Sequence, residues 1–383
     1  MYDFEHFLER RGTESVKWGV YPADVLPMWV ADMDFVSPQP VIDALMKRVE
    51  HGVFGYPMET QEFREVVVHR MEDRYGWKID PAEIIFVPGV VSGFNLVCQA
   101  FAGRGDSILM TTPIYPPFLA APVNAQAERI EVPLYQDASG IYRVDFEAFE
   151  KAILPSTKVF MLCNPHNPVG RVYTKSELER MAEICLRHHV LICSDEIHSD
   201  LIFSGYQHIP IASLSNEISE NTITLIAPSK TYNIAGLDCS VIICKSKEYR
   251  ERLETARRGL LGHVNALGLV AGMAAYKEGD PWLKELLQVL EGNRDLVVRY
   301  IRERMPEIKI ISPEATYLAW LDCRALQIPE EPYPFFLNHA KVALNYGGDF
   351  GEQSKRFLRF NFGCPQSMVQ EALERMESSL HKR

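Results

Sequence analysis

The stretch Asn221-Thr-Ile-Thr-Leu-Ile226, continued by Ala227-Pro-Ser-Lys230-Thr-Tyr-Asn-Ile-Ala-Gly-Leu237, sets the reading of the fold. Residues 221–226 are a short β-branched run, the pattern of a buried strand. Pro228 ends it, since proline cannot donate to a ladder and biases the residue before it toward extended backbone. Lys230 therefore stands just past the end of a buried strand, next to the hydroxyl of Ser229. Taken alone, such a lysine is more often a solvated turn residue than a functional group. The rest of the chain decides between the two.

Outward from this stretch, further short strands read at 84–87, 107–111, 128–132, 159–163, 190–194 and 240–244. Helical periodicity fills the gaps, as at 90–102 and at 176–188, where Leu178, Met181, Ala182, Ile184 and Cys185 share a face. Short buried strands alternating with helices predict an α/β fold, a three-layer sandwich around a mostly parallel central sheet. Upstream, 38–50 reads as an amphipathic helix with Ser37 as N-cap, and 60–76 as a helix capped by Thr60. Beyond residue 246 the pattern changes to helices at 246–260, 264–278 and 282–305. Strands near 309–311, 316–321 and 356–361 and a terminal helix from Ser367 follow, which together predict a smaller α+β unit. The expected division is a large domain at 45–280 and a discontinuous small domain made of 1–44 and 281–383.

Composition narrows the function classes. The 383 residues are 47% hydrophobic and 24% charged, as in soluble globular proteins, and no apolar stretch is long enough to span a bilayer. The N-terminus, Met-Tyr-Asp-Phe-Glu-His-Phe-Leu-Glu-Arg-Arg-Gly, lacks the apolar core of a signal peptide. A net charge of −11 without a basic tract argues against a nucleic-acid partner, and nothing points to a membrane. The eight cysteines show no metal-ligand spacing and sit mostly in apolar runs, as reduced core residues do. A cytoplasmic location and no metal site are expected.

Several residues at strand ends carry chemistry. Pro88-Gly89-Val90-Val91-Ser92-Gly93 joins a strand to a helix, where free N–H groups and the helix dipole suit an anion, although ordinary capping explains it as well. Asn164-Pro-His-Asn167-Pro-Val-Gly170 is a turn that places amide groups at the carboxyl end of a strand, where α/β folds bind ligands. Asp195 and His198, in Ser-Asp-Glu-Ile-His, end the next strand, and an acid there needs a cation or a strong donor, structural or functional. Arg359, in an alternating strand at 356–362, is suited to a carboxylate partner, internal or ligand. Asp32 and Asp34 lie in an apolar run, either paired structurally or turned to a site.

In order and spacing these residues resemble the fold-type I pyridoxal phosphate enzymes, the class I/II aminotransferase superfamily, and within it the cystathionine β-lyase (C–S lyase) branch. The carrying stretches are Leu-Pro-Met-Trp-Val-Ala-Asp-Met-Asp-Phe at 26–35, Gly55-Tyr56-Pro57, Pro113-Ile114-Tyr115, and those at 164–170, 194–198 and 227–237. The resemblance implies pyridoxal 5'-phosphate as cofactor, with Lys230 as its Schiff-base anchor and as general base. It implies that Asp195 holds the ring nitrogen protonated, that Asn167 with His198 nearby meets the ring hydroxyl, and that Tyr115 stacks on the ring. The N–H groups of Val90 and Val91, with Gly89 and Ser229, would hold the phosphate. Tyr56 would reach the partner's phosphate in a homodimer with shared sites, and Arg359, beside Val30 and Ala31, would take the α-carboxylate of an amino-acid substrate.

The activity implied is β-elimination of an L-cysteine S-conjugate to a thiol, pyruvate and ammonia. An aminotransferase on the same site, or a cofactor-binding regulator acting through a protein partner, are the alternatives. Asp238 stands where many aminotransferases have a phosphate-binding arginine; the branch also usually lacks that arginine, so its absence fits, while an acid there is less expected. Other departures from the branch are Tyr346 in place of a proline before Gly347, the lack of glycines at 352–355, and Gly19 where an acid is usual.

Overall fold

The computed structural model describes residues 2–381. Seven strands form one sheet: β1 (Ile84–Val87), β2 (Ser107–Thr112), β3 (Glu128–Pro133), β4 (Thr157–Cys163), β5 (Leu191–Asp195), β6 (Thr222–Ile226) and β7 (Ser240–Cys244). Their spatial order is β1-β7-β6-β5-β4-β2-β3. All neighbours run parallel except β7, which is antiparallel to both β1 and β6.

The helices are α1 (Gln39–Glu50), α2 (Gln61–Tyr75), α3 (Val90–Phe101), α4 (Pro116–Asn124), α5 (Lys175–Arg187), α6 (Lys247–Arg257), α7 (Ala266–Glu278), α8 (Asp280–Arg304) and α9 (Gln366–His381). Strand side chains alternate cleanly between two apolar layers, as the pleat requires. Ile85, Val87, Val159 and Leu225 pack on Phe94, Phe118 and Leu253 of α3, α4 and α6. On the other face, Phe160, Leu162 and Ile192 pack under α5, while Phe86, Val241 and Ile243 pack under α2 and α7. The result is the three-layer α/β sandwich expected from the sequence.

A second, antiparallel sheet comprises β8 (Lys309–Ile310), β9 (Leu318–Asp322), β10 (Asn345–Tyr346) and β11 (Phe357–Asn361), in the order β8-β9-β11-β10. The N-terminal segment joins this region, because Leu26–Pro27 pairs in parallel with Val342–Ala343. Among the described residues, no helix is long and apolar enough to cross a membrane.

Three local expectations change. Ser37 does not cap α1: Pro38 holds the N-cap position, and the Ser37 hydroxyl instead donates to the Asn233 carbonyl. A long-range partner thus outcompetes the local cap. The helix read at 176–188 starts one residue earlier, behind a capping box of Thr174 and Glu177. The strand carrying Arg359 is buried along its whole length, since Leu358 and Phe360 face the main core and Phe357 packs with Trp320 and Phe350 on the other side. Thr60 does cap α2, accepting from the Phe63 N–H.

Two glycines set how α3 meets the sheet. Gly89, at φ +96°, turns β1 into the helix through a conformation that side chains rarely adopt. Gly93 lies so close to the sheet that a Cβ there would come within 2.3 Å of Leu225 and 3.3 Å of Val87. Glycine inside a helix costs about 1 kcal/mol relative to alanine, so this contact has to be worth more than the lost propensity. Gly93→Ala is expected to lower stability by about 1–3 kcal/mol through overpacking. Urea unfolding checks it, and unchanged stability would show that Leu225 can rotate aside.

Candidate active site

The carboxyl ends of β4, β5 and β6 and the start of α3 converge on a cavity of about 240 Å³. A crevice beyond the carboxyl ends of parallel strands is where open α/β sheets bind ligands. At one end stand Gly89, Val90, Val91 and Ser92, with Ser229 and Asp238 opposite; at the other stand Tyr115, Asn167, Asp195, His198 and Lys230. A larger cavity of about 340 Å³ opens beside Gly351–Ser354, but its ionisable residues Glu131, Tyr142, Arg324 and Glu352 are all at least partly exposed. The smaller one gathers the buried charges.

Lys230 lies in the one-turn helix Pro228–Thr231 that follows β6. Part of its side chain faces the cavity, and its amine donates to the Ala31 carbonyl at 2.7 Å. Burial lowers its pKa to about 8; Arg359 adds to the fall, while Asp32 and Asp195 oppose it. The Tyr317 hydroxyl donates to the same Ala31 oxygen at 2.9 Å.

Asp195 ends β5 and is 5% exposed, and among the described residues no cation makes a hydrogen bond or ion pair with it. One carboxylate oxygen accepts from the Ile197 N–H at 3.0 Å. Burial raises its pKa to about 7, with the charge of Glu196 adding to the rise and Lys230 offsetting part of it. Glu196 itself turns away into the core, bonded to His208 at 2.7 Å and to the Ser194 hydroxyl. His198, 3% exposed, stays neutral, because burial, Lys230 and Arg359 push its pKa down to about 3. Its Nδ1 has no hydrogen-bond partner.

Arg359 projects from β11 beside the cavity. Its guanidinium donates to Asn167 Oδ1 at 3.0 Å, Asn345 Oδ1 at 2.7 Å and the Trp29 carbonyl at 3.4 Å, and lies over the Phe350 ring. All three acceptors are neutral, and no carboxylate lies within ion-pair distance among the described residues. Burial lowers its pKa to about 10, with Tyr115 and Tyr317 opposing. A buried arginine with only neutral acceptors is a ready receptor for a carboxylate.

Of the residues singled out from sequence, Gly89, Val90, Val91, Tyr115, Asn167, Asp195, His198, Ser229, Lys230 and Ala31 line this one cavity. Arg359 joins it through Asn167. Val30 contributes differently, its carbonyl being bound by Asn361. Tyr56 is not in this chain's own cavity; it stands fully exposed beside Pro57 and Met58. Sequence reasoning passed over Asn345 and Tyr317. Asn345 stands next to Tyr346, whose replacement of a proline was legible, but its cross-strand pairing with Arg359 appears only in the register of β10 on β11.

The fold has close parallels. Residues 24–376 match the aminotransferase class I and II family. Cystathionine beta-lyase PatB of Bacillus subtilis (strain 168) is 39% identical, the alignment spanning 99% of this chain and 100% of that one. The pyridoxal phosphate-bound putative aminotransferase of Clostridium difficile 630 superimposes with a TM-score of 0.96 at 40% identity, covering 99% of this chain and 100% of that one. Cystalysin of Treponema denticola, whose crystal structure contains pyridoxal 5'-phosphate, superimposes with a TM-score of 0.95 at 36% identity, over 100% of this chain and 99% of its own. The chain belongs to the aminotransferase class I and II family, beside relatives named cystathionine beta-lyase.

Proposed function

We propose that the chain is a pyridoxal phosphate-dependent carbon–sulfur lyase that splits L-cysteine S-conjugates, such as cystathionine, into a thiol, pyruvate and ammonia. The observation that carries this is one cavity holding a buried amine of lowered pKa, a buried acid without a cation, and an adjacent arginine bound only to neutral groups. The residues fit the cofactor on their own chemistry. The amine suits an aldehyde, the acid suits a ring nitrogen, and the glycine turn at the start of α3 leaves N–H groups free for a phosphate.

When bound, the cofactor supplies an aldehyde carbon and a protonated ring that withdraws electrons from the substrate's Cα. Asp195 is the group assigned to keep that ring nitrogen protonated, since a buried carboxylate gains most from a cationic N–H. Asn167 and the neutral His198 line the wall around the ring, and Tyr115 offers an aromatic face. Val90, Val91 and Ser229 provide donors for the phosphate. Arg359, held in place by Asn167 and Asn345, orients the substrate by its carboxylate. Lys230, its pKa lowered by burial to about 8, removes the proton from Cα, and the Ala31 carbonyl holds its amine when it is free. Loss of the thiolate from Cβ follows, and water completes the release of pyruvate and ammonia.

Two further readings concern assembly and compartment. Val49, Val53, Phe54, Tyr56 and Met58 are exposed along one stretch of surface, and Leu260 is exposed as well. Apolar exposure concentrated in this way supports a homodimer, with Tyr56 reaching the partner's site. All eight cysteines are buried and unpaired, which supports the cytoplasm as the working compartment.

The loaded enzyme should release pyruvate from cystathionine with no keto acid present, at concentrations where light scattering reports a dimer. Borohydride should fix the cofactor on the peptide containing Lys230, and Lys230→Ala should lose both fixation and pyruvate release. Turnover that stops after one equivalent and resumes on adding a keto acid would instead mark an aminotransferase, and an active monomer would exclude shared sites. In the cofactor-free chain, amine-reactive labelling of Lys230 should rise with pH around a midpoint of about 8, because only the neutral amine reacts. Surface lysines should follow about two units higher, and a midpoint with them would contradict the buried amine. Arg359→Ala should cost about 2–5 kcal/mol in catalytic efficiency, as truncation of a buried charge partner does. Steady-state kinetics on cystathionine checks this, and an unchanged kcat/KM would assign the carboxylate to another group.

A further inference from the structure

The carbonyl of Ala31 accepts from two side chains at once, the Lys230 amine at 2.7 Å and the Tyr317 hydroxyl at 2.9 Å, and among the described residues it has no other donor. Ala31 is itself buried, at 9% exposure. The proposed mechanism uses the amine and leaves the hydroxyl without a task. Tyr317 is fully buried just before β9, and its ring meets that of His198 nearly edge to face, with centroids 6.3 Å apart. Burial pushes its pKa well up, so the hydroxyl remains a donor at neutral pH.

The backbone that delivers this hydroxyl is strained. Thr316, the residue before it, is buried at φ +71°, a conformation that β-branched residues rarely adopt. Strain of this kind persists only where the surroundings over-determine it. Here the Thr316 N–H donates to the Leu201 carbonyl at 2.8 Å, and those of Glu314 and Ala315 donate to the Gly170 carbonyl at 2.8 and 3.1 Å. The Tyr317 carbonyl accepts from the Phe362 N–H at 2.9 Å. The segment is thus wedged between the turn that carries Asn167, the chain after His198 and the end of β11, and the side chain it aims at the lysine's acceptor is Tyr317.

We propose that Tyr317 is a positioning residue that frees Lys230 to react: its hydroxyl keeps the Ala31 carbonyl hydrogen-bonded when the amine leaves it. This rests on reading Lys230 as the amine that meets an aldehyde. In that condensation a carbon–nitrogen double bond forms, the aldehyde oxygen leaves as water, and both hydrogens of the neutral amine go with it. The nitrogen then has no donor left for Ala31. A buried acceptor that loses its only donor is costly, whereas one that keeps a second donor is not. With the hydroxyl in place the amine departs from a carbonyl that stays bonded; without it, departure orphans the carbonyl and the amine is held back.

The test compares the wild type with Tyr317→Phe, which keeps the ring and leaves the resting Ala31 carbonyl its bond from Lys230. In the cofactor-free chain, reductive labelling with formaldehyde and borohydride at pH 9 reports how readily the Lys230 amine joins an aldehyde. Titration with pyridoxal 5'-phosphate, followed by absorbance, reports how firmly it stays joined. In the variant, labelling of Lys230 should be about tenfold slower and the dissociation constant for pyridoxal phosphate about tenfold higher, as orphaning a buried acceptor requires. The charged neighbours of the amine, Asp32, Asp195 and Arg359, are the same in both proteins, and urea unfolding checks that both are folded. Faster labelling in the variant overturns the proposal, because a hydroxyl that only packs the site against water gives that sign. Equal labelling overturns it as well, by showing that water takes the place of the hydroxyl. A wild type that forms no bond with pyridoxal phosphate refutes the underlying site reading, whereas equal binding by both proteins refutes only this inference.

Discussion

The buried carboxylate of Asp34 holds the candidate site together from outside it. One oxygen accepts from Lys17 at 2.7 Å, the other from Trp18 at 2.8 Å and Arg10 at 2.7 Å. Burial alone would raise its pKa, but the Lys17 ammonium and these donors outweigh burial and keep it below the usual carboxylate range. This is the kind of fully bonded buried ion that a folded chain tolerates. Its effect is to fix residues 29–35. That segment is further tied by Asn361 to the carbonyls of Val30 and Asp32, and by Asn233 to those of Met33 and Phe35. Once fixed, it presents the Trp29 carbonyl to Arg359 and the Ala31 carbonyl to Lys230. Asn233 lies three residues after Lys230, so the same ties lock the lysine turn to the N-terminal segment.

Within the cavity the opposite condition holds. Asp195, Lys230 and Arg359 are each shifted toward their neutral forms by burial, whereas Asp34 is not. The contrast sets Asp34, satisfied by the fold, apart from three cavity groups that the fold leaves short of charged partners. A charge that the fold has satisfied keeps its ordinary ionisation or strengthens it; one left for a ligand has its ionisation disfavoured. The free energy spent on burying three such groups is recoverable by a ligand that brings complementary groups to them. Activity and stability pull against each other at these positions, as they do in most enzyme sites.

Most of the central sheet was legible because its strands other than the partly exposed edge strand β3 are buried almost throughout and read as short, mainly apolar runs between helices. The site was legible for a related reason: Asn167, Asp195 and Lys230 sit immediately past strands that sequence could place. What was not legible depends on chain segments far apart in sequence. Ser37 carries every local mark of a helix cap, yet it bonds to Asn233, nearly two hundred residues away. The strand of Arg359 looked half-exposed because Arg356 and Arg359 punctuate its aromatics, but Trp320 and Phe350 cover the face that alternation assigned to solvent. Tyr317 and Asn345 act through hydroxyl and amide geometry that no local pattern encodes.

The two anion-binding ends of the cavity are built on different principles, and the difference bears on how a cofactor would be kept. Around Arg359, a whole cation meets only amide and carbonyl oxygens, so an incoming carboxylate supplies the missing charge. At the start of α3, the lining offers backbone N–H groups, two serine hydroxyls and an acid, with no side-chain cation. Backbone donors at a helix terminus amount to about half a positive charge, and the acid beside them, Asp238, is solvent-exposed. Attraction for a phosphate is correspondingly weaker there than in a site with an arginine at position 238. Lys230 and Asp195, toward the other end, are groups whose charged forms burial disfavours. The groups most costly to leave unpartnered are therefore concentrated away from the start of α3.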